Sequence, residues 1–182
     1  MSNTEPEWES FSNALAAAGA LNRSLVPLRQ DGDAAVRALG KALKPFETRD
    51  EALLLLVALD TNITEALVPS LLQTALRVRD TLLVRQVLGR LPHSAAEAAV
   101  PPAVRKLLDE AAESDDYRRM AELLDHLGLD AALRDLCVRA RDSVDEEIRE
   151  VAEDFRWRMT TRVVTRQPHS TNDGSPAESR VW

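Results

Sequence analysis

Cysteine, lysine, histidine and aromatic side chains are all scarce in this chain of 182 residues. A single cysteine, Cys137, excludes an intramolecular disulfide and a thiolate-rich zinc or iron–sulfur site within one chain, and it fits a reducing, cytoplasmic setting. Six glycines leave little material for phosphate-cradling loops, and GxGxxG, GxxxxGK[ST] and GxSxG motifs are absent. The three histidines, His93, His126 and His169, have no second histidine at i+3 or i+4, so neither HExxH nor a ligand pair forms. The longest apolar run, Ala52 to Leu59, is eight residues, against the roughly 18 that a bilayer span needs. The start, MSNTEPEWES, has no basic n-region and no apolar h-region, so no signal peptide is expected. These absences leave no positive case for an enzyme, a cofactor, a metal or a membrane.

What is present is leucine and alanine. The chain is 45% hydrophobic with sparse, scattered β-branched residues, which favours helices and starves strands, so the expected fold is all-α with one main core. A small polar residue followed three positions later by Glu marks helix starts at Thr4/Glu7, Thr48/Glu51, Asn62/Glu65, Ser94/Glu97 and Ser143/Glu146. From these we read nine helices, over 5–20, 33–43, 48–59, 63–78, 81–91, 94–113 with a break near Pro101-Pro102, 115–127, 130–141 and 144–159. Gly128 is placed to end a helix in the left-handed conformation, and Gly32 sits in an Asp31-Gly32-Asp33 turn.

Two signals alternate along these helices. Leu25-Val26-Pro27, Leu67-Val68-Pro69 and Ala99-Val100-Pro101 form the first. The second is an acidic residue followed by an apolar residue and an arginine, seen from Asp33 to Arg37, Asp80 to Arg85 and Asp145 to Arg149, with a degenerate copy from Asp115 to Arg118. On these residues, with Asp145 to Phe155 (DEEIREVAEDF) and Asp33 to Leu39 (DAAVRAL) the closest stretches, the chain resembles the HEAT-type helical repeats over about residues 25–155. The Asp-to-Asp spacings of 47, 35 and 30 are mostly shorter than the usual HEAT period, which is about 40–47 residues. The resemblance implies a right-handed α-solenoid of about four antiparallel helix pairs over residues 1–159, whose stacked faces leave an extended surface for a partner. In such a stack Arg37, Arg85, Arg118 and Arg149 line one side, either as an interior ladder to acidic side chains and carbonyls or as a partner-facing stripe.

Charge is polarised along the chain. Residues 109–154 hold 16 acidic and 6 basic side chains, whereas the remainder is slightly basic, and the total is −7. That region, with Glu146 and Glu150 on one helix, reads either as a solvated face or as an acidic surface that steers a basic protein partner. Nucleic acid is disfavoured, because only Arg77, Arg79, Arg85 and Arg90 cluster and aromatic residues for stacking are few. Residues 160–182 have the composition of a flexible basic and polar tail. Trp182 is its candidate anchor, and Trp157, just before the tail, is a further candidate for partner binding. The expected function is a non-catalytic adaptor or scaffold that binds protein. An immunity-type or antitoxin-type protein covering a basic enzyme is the first alternative, and a HEAT-like nucleic-acid enzyme the second.

Overall fold

A computed structural model describes residues 5–156 except 78 and 111, and these form ten α-helices with no strand among them. In chain order they are α1 (Glu5–Gln30), α2 (Gly32–Ala42), α3 (Phe46–Ala58), α4 (Thr61–Ala66), α5 (Val68–Ala75), α6 (Thr81–Leu88), α7 (His93–Asp109), α8 (Ser114–His126), α9 (Asp130–Arg141) and α10 (Glu146–Asp154). None of them is long and apolar enough to cross a membrane.

Three of the sequence expectations about helix bounds are corrected. The first helix does not stop near residue 20 but runs 26 residues to Gln30, with Pro27 inside its last turns. The segment over 63–78 is two helices, because Pro69 has no N–H to offer and the chain restarts after Leu67 (φ −96°, ψ 1°) with Pro69 in the first turn of α5. The Pro101-Pro102 pair does not break α7. Its buried stripe, Ala96, Val100, Val104 and Leu108, continues across the pair at four-residue spacing, while Pro102 and the residues at 97 and 98 face solvent, where water can satisfy the carbonyls left without donors. The three Leu-Val-Pro-type motifs therefore sit at unlike places: a helix end, a helix start and a helix middle.

The helix starts lie near the anticipated capping pairs, but among the described residues those pairs do not make the caps, and Thr4 of the first pair lies outside them. Asp31 caps α2 by accepting from Ala34 N at 2.9 Å, and Asp145 caps α10 by accepting from Glu147 N at 2.9 Å. At α8 an acidic pair takes over, with Asp116 Oδ2 accepting from Glu113 N at 3.2 Å. Thr48 lies inside α3 instead, and its hydroxyl donates back to Ala42 O at 2.7 Å. Gly128 has φ of 68°, as its position after α8 requires.

Helices of six to eight residues such as α4, α5 and α6 are too short to persist alone, so tertiary burial has to hold them. Leu71, Leu72, Val84, Val87 and Leu88 on these helices are fully buried with Leu53 and Leu56 of α3. Each such side chain contributes about 1.5–3 kcal/mol on burial. Helix α3 packs on α6, α5 on both α6 and α7, and α2 on α3 and α4. In the second half α8, α9 and α10 pack mutually around Met120, Leu124, Leu133, Cys137, Ala140 and Val151, and α7 joins the two parts through α8. Helix α1 touches the rest near its C-terminal end, where Leu25 is buried and Arg29 Nη2 donates to Ala58 O at 2.9 Å.

Candidate functional site

Arginine is the side chain that ties these helices together. A helix ends with carbonyls that lack a partner and with the negative end of its dipole, and a guanidinium supplies both donors and charge. Arg90 Nη1 donates to Leu56 O at 2.9 Å at the end of α3, Arg119 to Leu76 O after α5, and Arg139 Nη2 to Leu108 O at 2.8 Å at the end of α7. Arg49 and Arg149 show one device twice. Each is the fourth residue of its helix and reaches back to the fifth and sixth residues before it, Arg49 to Leu43 O at 2.9 Å and Lys44 O at 2.7 Å, Arg149 to Ser143 O at 3.0 Å and Val144 O at 2.9 Å. The structural counterpart of Arg149 is thus Arg49, which sequence reading passed over in favour of Arg37. Its signal was its distance from a helix start, four residues after Pro45, as Arg149 lies four after Asp145.

Of the arginine series read from the sequence, the structure brings two members together. Arg85 of α6 pairs with Glu122 of α8 at 2.7 Å, and Arg118 of α8 pairs with Asp154 of α10 at 2.5 Å. Both line one polar recess of about 400 Å³ with Asp125, His126 and Phe155. Arg149 is committed to its own loop, and Arg37 is exposed on α2 away from this recess. Glu146 and Glu150 are exposed on α10. Trp157, Trp182 and the tail over 160–182 lie outside the described residues. Glu122 and Asp154 already answer the two arginines of the recess, so it offers no concentrated field to a small anion. Asp80, read from the sequence as a helix opener, is 2% exposed and pairs with Arg49 at 3.0 Å.

The remaining chemistry-bearing residues are spoken for. Cys137 is buried in α9, and burial raises its thiol pKa while Arg141 opposes the rise. His93 lies 3.2 Å from Glu97, and His126 is exposed in the last turn of α8. Among the described residues no group of three or more His, Cys, Asp or Glu side chains could hold a metal ion.

A second recess differs in kind. Between α7 and α9 a groove of about 340 Å³ has an apolar floor of Val104, Leu108, Leu124 and Leu136, with Pro101, Ala132 and the exposed Val138 along its walls. Arg105 and Asp135, 3.9 Å apart, face each other at its rim. Arg139 closes one side, where its Nε donates to Tyr117 Oη at 2.8 Å and its Nη1 to Asp109 Oδ1 at 2.5 Å. Burial works against the Arg139 charge, but the bonds to Asp109 and Tyr117 outweigh it and push its pKa up. An apolar floor beside a cation already matched by Asp109 favours an apolar side chain carried by a polar segment over a reacting substrate. The sequence reading missed this groove, because its lining comes from three helices and no short motif encodes it.

No family model, curated protein or solved structure matches this chain. Function is therefore argued from the geometry.

Proposed function

We propose that the chain is a non-catalytic protein-interaction module of HEAT-like helical-repeat build, in which the groove between α7 and α9 docks an apolar side chain of a basic partner. The observation that carries this reading is that groove, an apolar floor with paired charges at its rim. The repeat build is supported by neighbour order: α5 packs on α7, while α3 packs on α6 and α8 on α10, as expected of two layers of stacked helices. The recurrence of the Arg49 device at Arg149 supports it further, since equivalent positions in successive units should make equivalent bonds. The net charge of the region from Asp109 to Asp154 favours a basic partner, which a surplus of carboxylates steers and holds in a salt-dependent way.

The test is affinity capture from host lysate by the full chain and two variants. Val138→Arg places a like charge on the wall where a basic segment would lie, and Leu82→Arg is the control, since Leu82 is 76% exposed on α6 outside the groove. A stoichiometric protein held by the parent chain and the control, lost with Val138→Arg and released by salt, is the expected result. Equal capture by all three, or capture of none, removes the groove reading.

A further inference from the structure

Trp8, Phe11 and Leu15 of α1 are 68%, 54% and 64% exposed, and nothing in the fold described so far accounts for them. From residue 8 to residue 24 every position of α1 except the half-buried Gly19 is exposed, so about four turns of helix stand clear of the core. Most helical stability in proteins comes from packing an apolar face, and this stretch of α1 packs none of its own. Trp8, Phe11, Leu15, Ala18 and Asn22 follow one another by three and four residues, which places them on one seam of the helix, and three residues further the seam enters the core at the buried Leu25. The rings of Trp8 and Phe11 lie 5.6 Å apart on that seam.

We propose that this seam pairs with the same seam of a second copy of this chain, with the two α1 helices antiparallel. The seam tapers, from Trp8 and Phe11 at one end to Ala18 and Asn22 at the other. A parallel pair would stack large on large and small on small, leaving a wedge. Antiparallel pairing sets Leu15 against Ala18 and Phe11 against Asn22, and brings Trp8 to the edge of the other chain's core, which covers Leu25, so the width stays even along the open part of the seam. At that level the exposed Leu21 and Val26, 45% and 43% exposed, flank the seam on both sides and form a bed for the incoming Trp8 ring. Glu9 of one helix then lies near the level of Arg23 of the other, and the helix dipoles oppose. The exposed parts of Trp8, Phe11, Leu15, Leu21 and Val26 amount to roughly 500 Å² of apolar surface per chain, so a symmetric pair removes about 1,000 Å² from water, near the lower limit for a specific interface. Asn22 on the seam weakens the pair but fixes its register, as a single polar seam residue does in coiled coils. The pairing is independent of the groove between α7 and α9.

Sedimentation equilibrium of the full chain between about 1 and 100 μM tests it, and a monomer–dimer equilibrium within that range is the expected result. Trp8→Glu, Phe11→Glu and Leu15→Glu combined should weaken self-association by about 100-fold or more, with the core intact because none of the three is buried. A parent chain that is monomeric throughout this range, or a triple variant that dimerises like the parent, overturns the proposal. Orientation is read from engineered cysteines, the native Cys137 being buried. Phe11→Cys mixed with Asn22→Cys should form an oxidised cross-link that neither variant forms alone, because each is far along the axis from its own copy in an antiparallel pair. Cross-linking of either single variant with itself overturns the antiparallel arrangement.

Discussion

Arg49 and Arg149 make the same bonds to the same kind of loop, yet their surroundings differ. Around Arg49, α6 packs on α3 and delivers Asp80, leaving both charged groups almost without solvent, at 3% and 2% exposure. Arg149 stays partly open to water, and the ion pairs near it in the second half, such as Arg118 with Asp154, are about half exposed. Geometry is thus conserved between the two regions while the dielectric is not. In the first half a charge pair is part of the core and cannot be broken cheaply, because its surviving partner would be stranded. The second half spreads its charge over the surface, where each pair contributes little and the sum acts as a field.

Asp80→Ala should break this comparison most severely. It strands the Arg49 guanidinium and should cost about 3–5 kcal/mol in urea unfolding. A cost below about 1 kcal/mol would mean that water reaches Arg49 and that the two regions are alike. Arg149→Ala removes two bonds to carbonyls at a partly solvated site, for which about 1–2 kcal/mol is expected by the same measurement. Smaller still is the coupling between Arg118 and Asp154, which a double-mutant cycle should place at about 0.2–1 kcal/mol and which 1 M salt should largely abolish. The smallest effect concerns Cys137. Its folded pKa is raised by burial, so the unfolded chain loses the thiol proton first as pH rises. Stability should therefore be intact below the ordinary thiol range and decline above it. Cys137→Ala should flatten that decline in melting curves recorded from pH 7 to pH 10.

The all-α class and the left-handed Gly128 were legible in the sequence, because each follows from a local preference: leucine and alanine for helix, glycine for positive φ. Helix ends were less so. The sequence places an end near residue 20 and a break at Pro101-Pro102, but α1 runs on past the buried Leu25 and the buried Val100 and Val104 stripe carries α7 through. The reverse held at Leu67, where a continuous apolar pattern hid a restart. Arg49 escaped notice because Pro45, and not an aspartate, stands at the start of α3. Its carboxylate arrives instead from position 80, through packing that local sequence does not record. The groove between α7 and α9 was invisible for the same reason, since Leu124 joins its floor from a third helix.

The arginines that close helix ends also bear on how the molecule unfolds. Arg29 reaches Ala58, Arg90 reaches Leu56, Arg119 reaches Leu76 and Arg139 reaches Leu108, across sequence separations of 29, 34, 43 and 31 residues. Helices α3, α5 and α7 are therefore finished by a residue from elsewhere in the chain. A stack held only by nearest-neighbour faces can peel from one end, unit by unit. Here the loss of one unit uncaps the end of another, which penalises partly open states and favours a single cooperative transition.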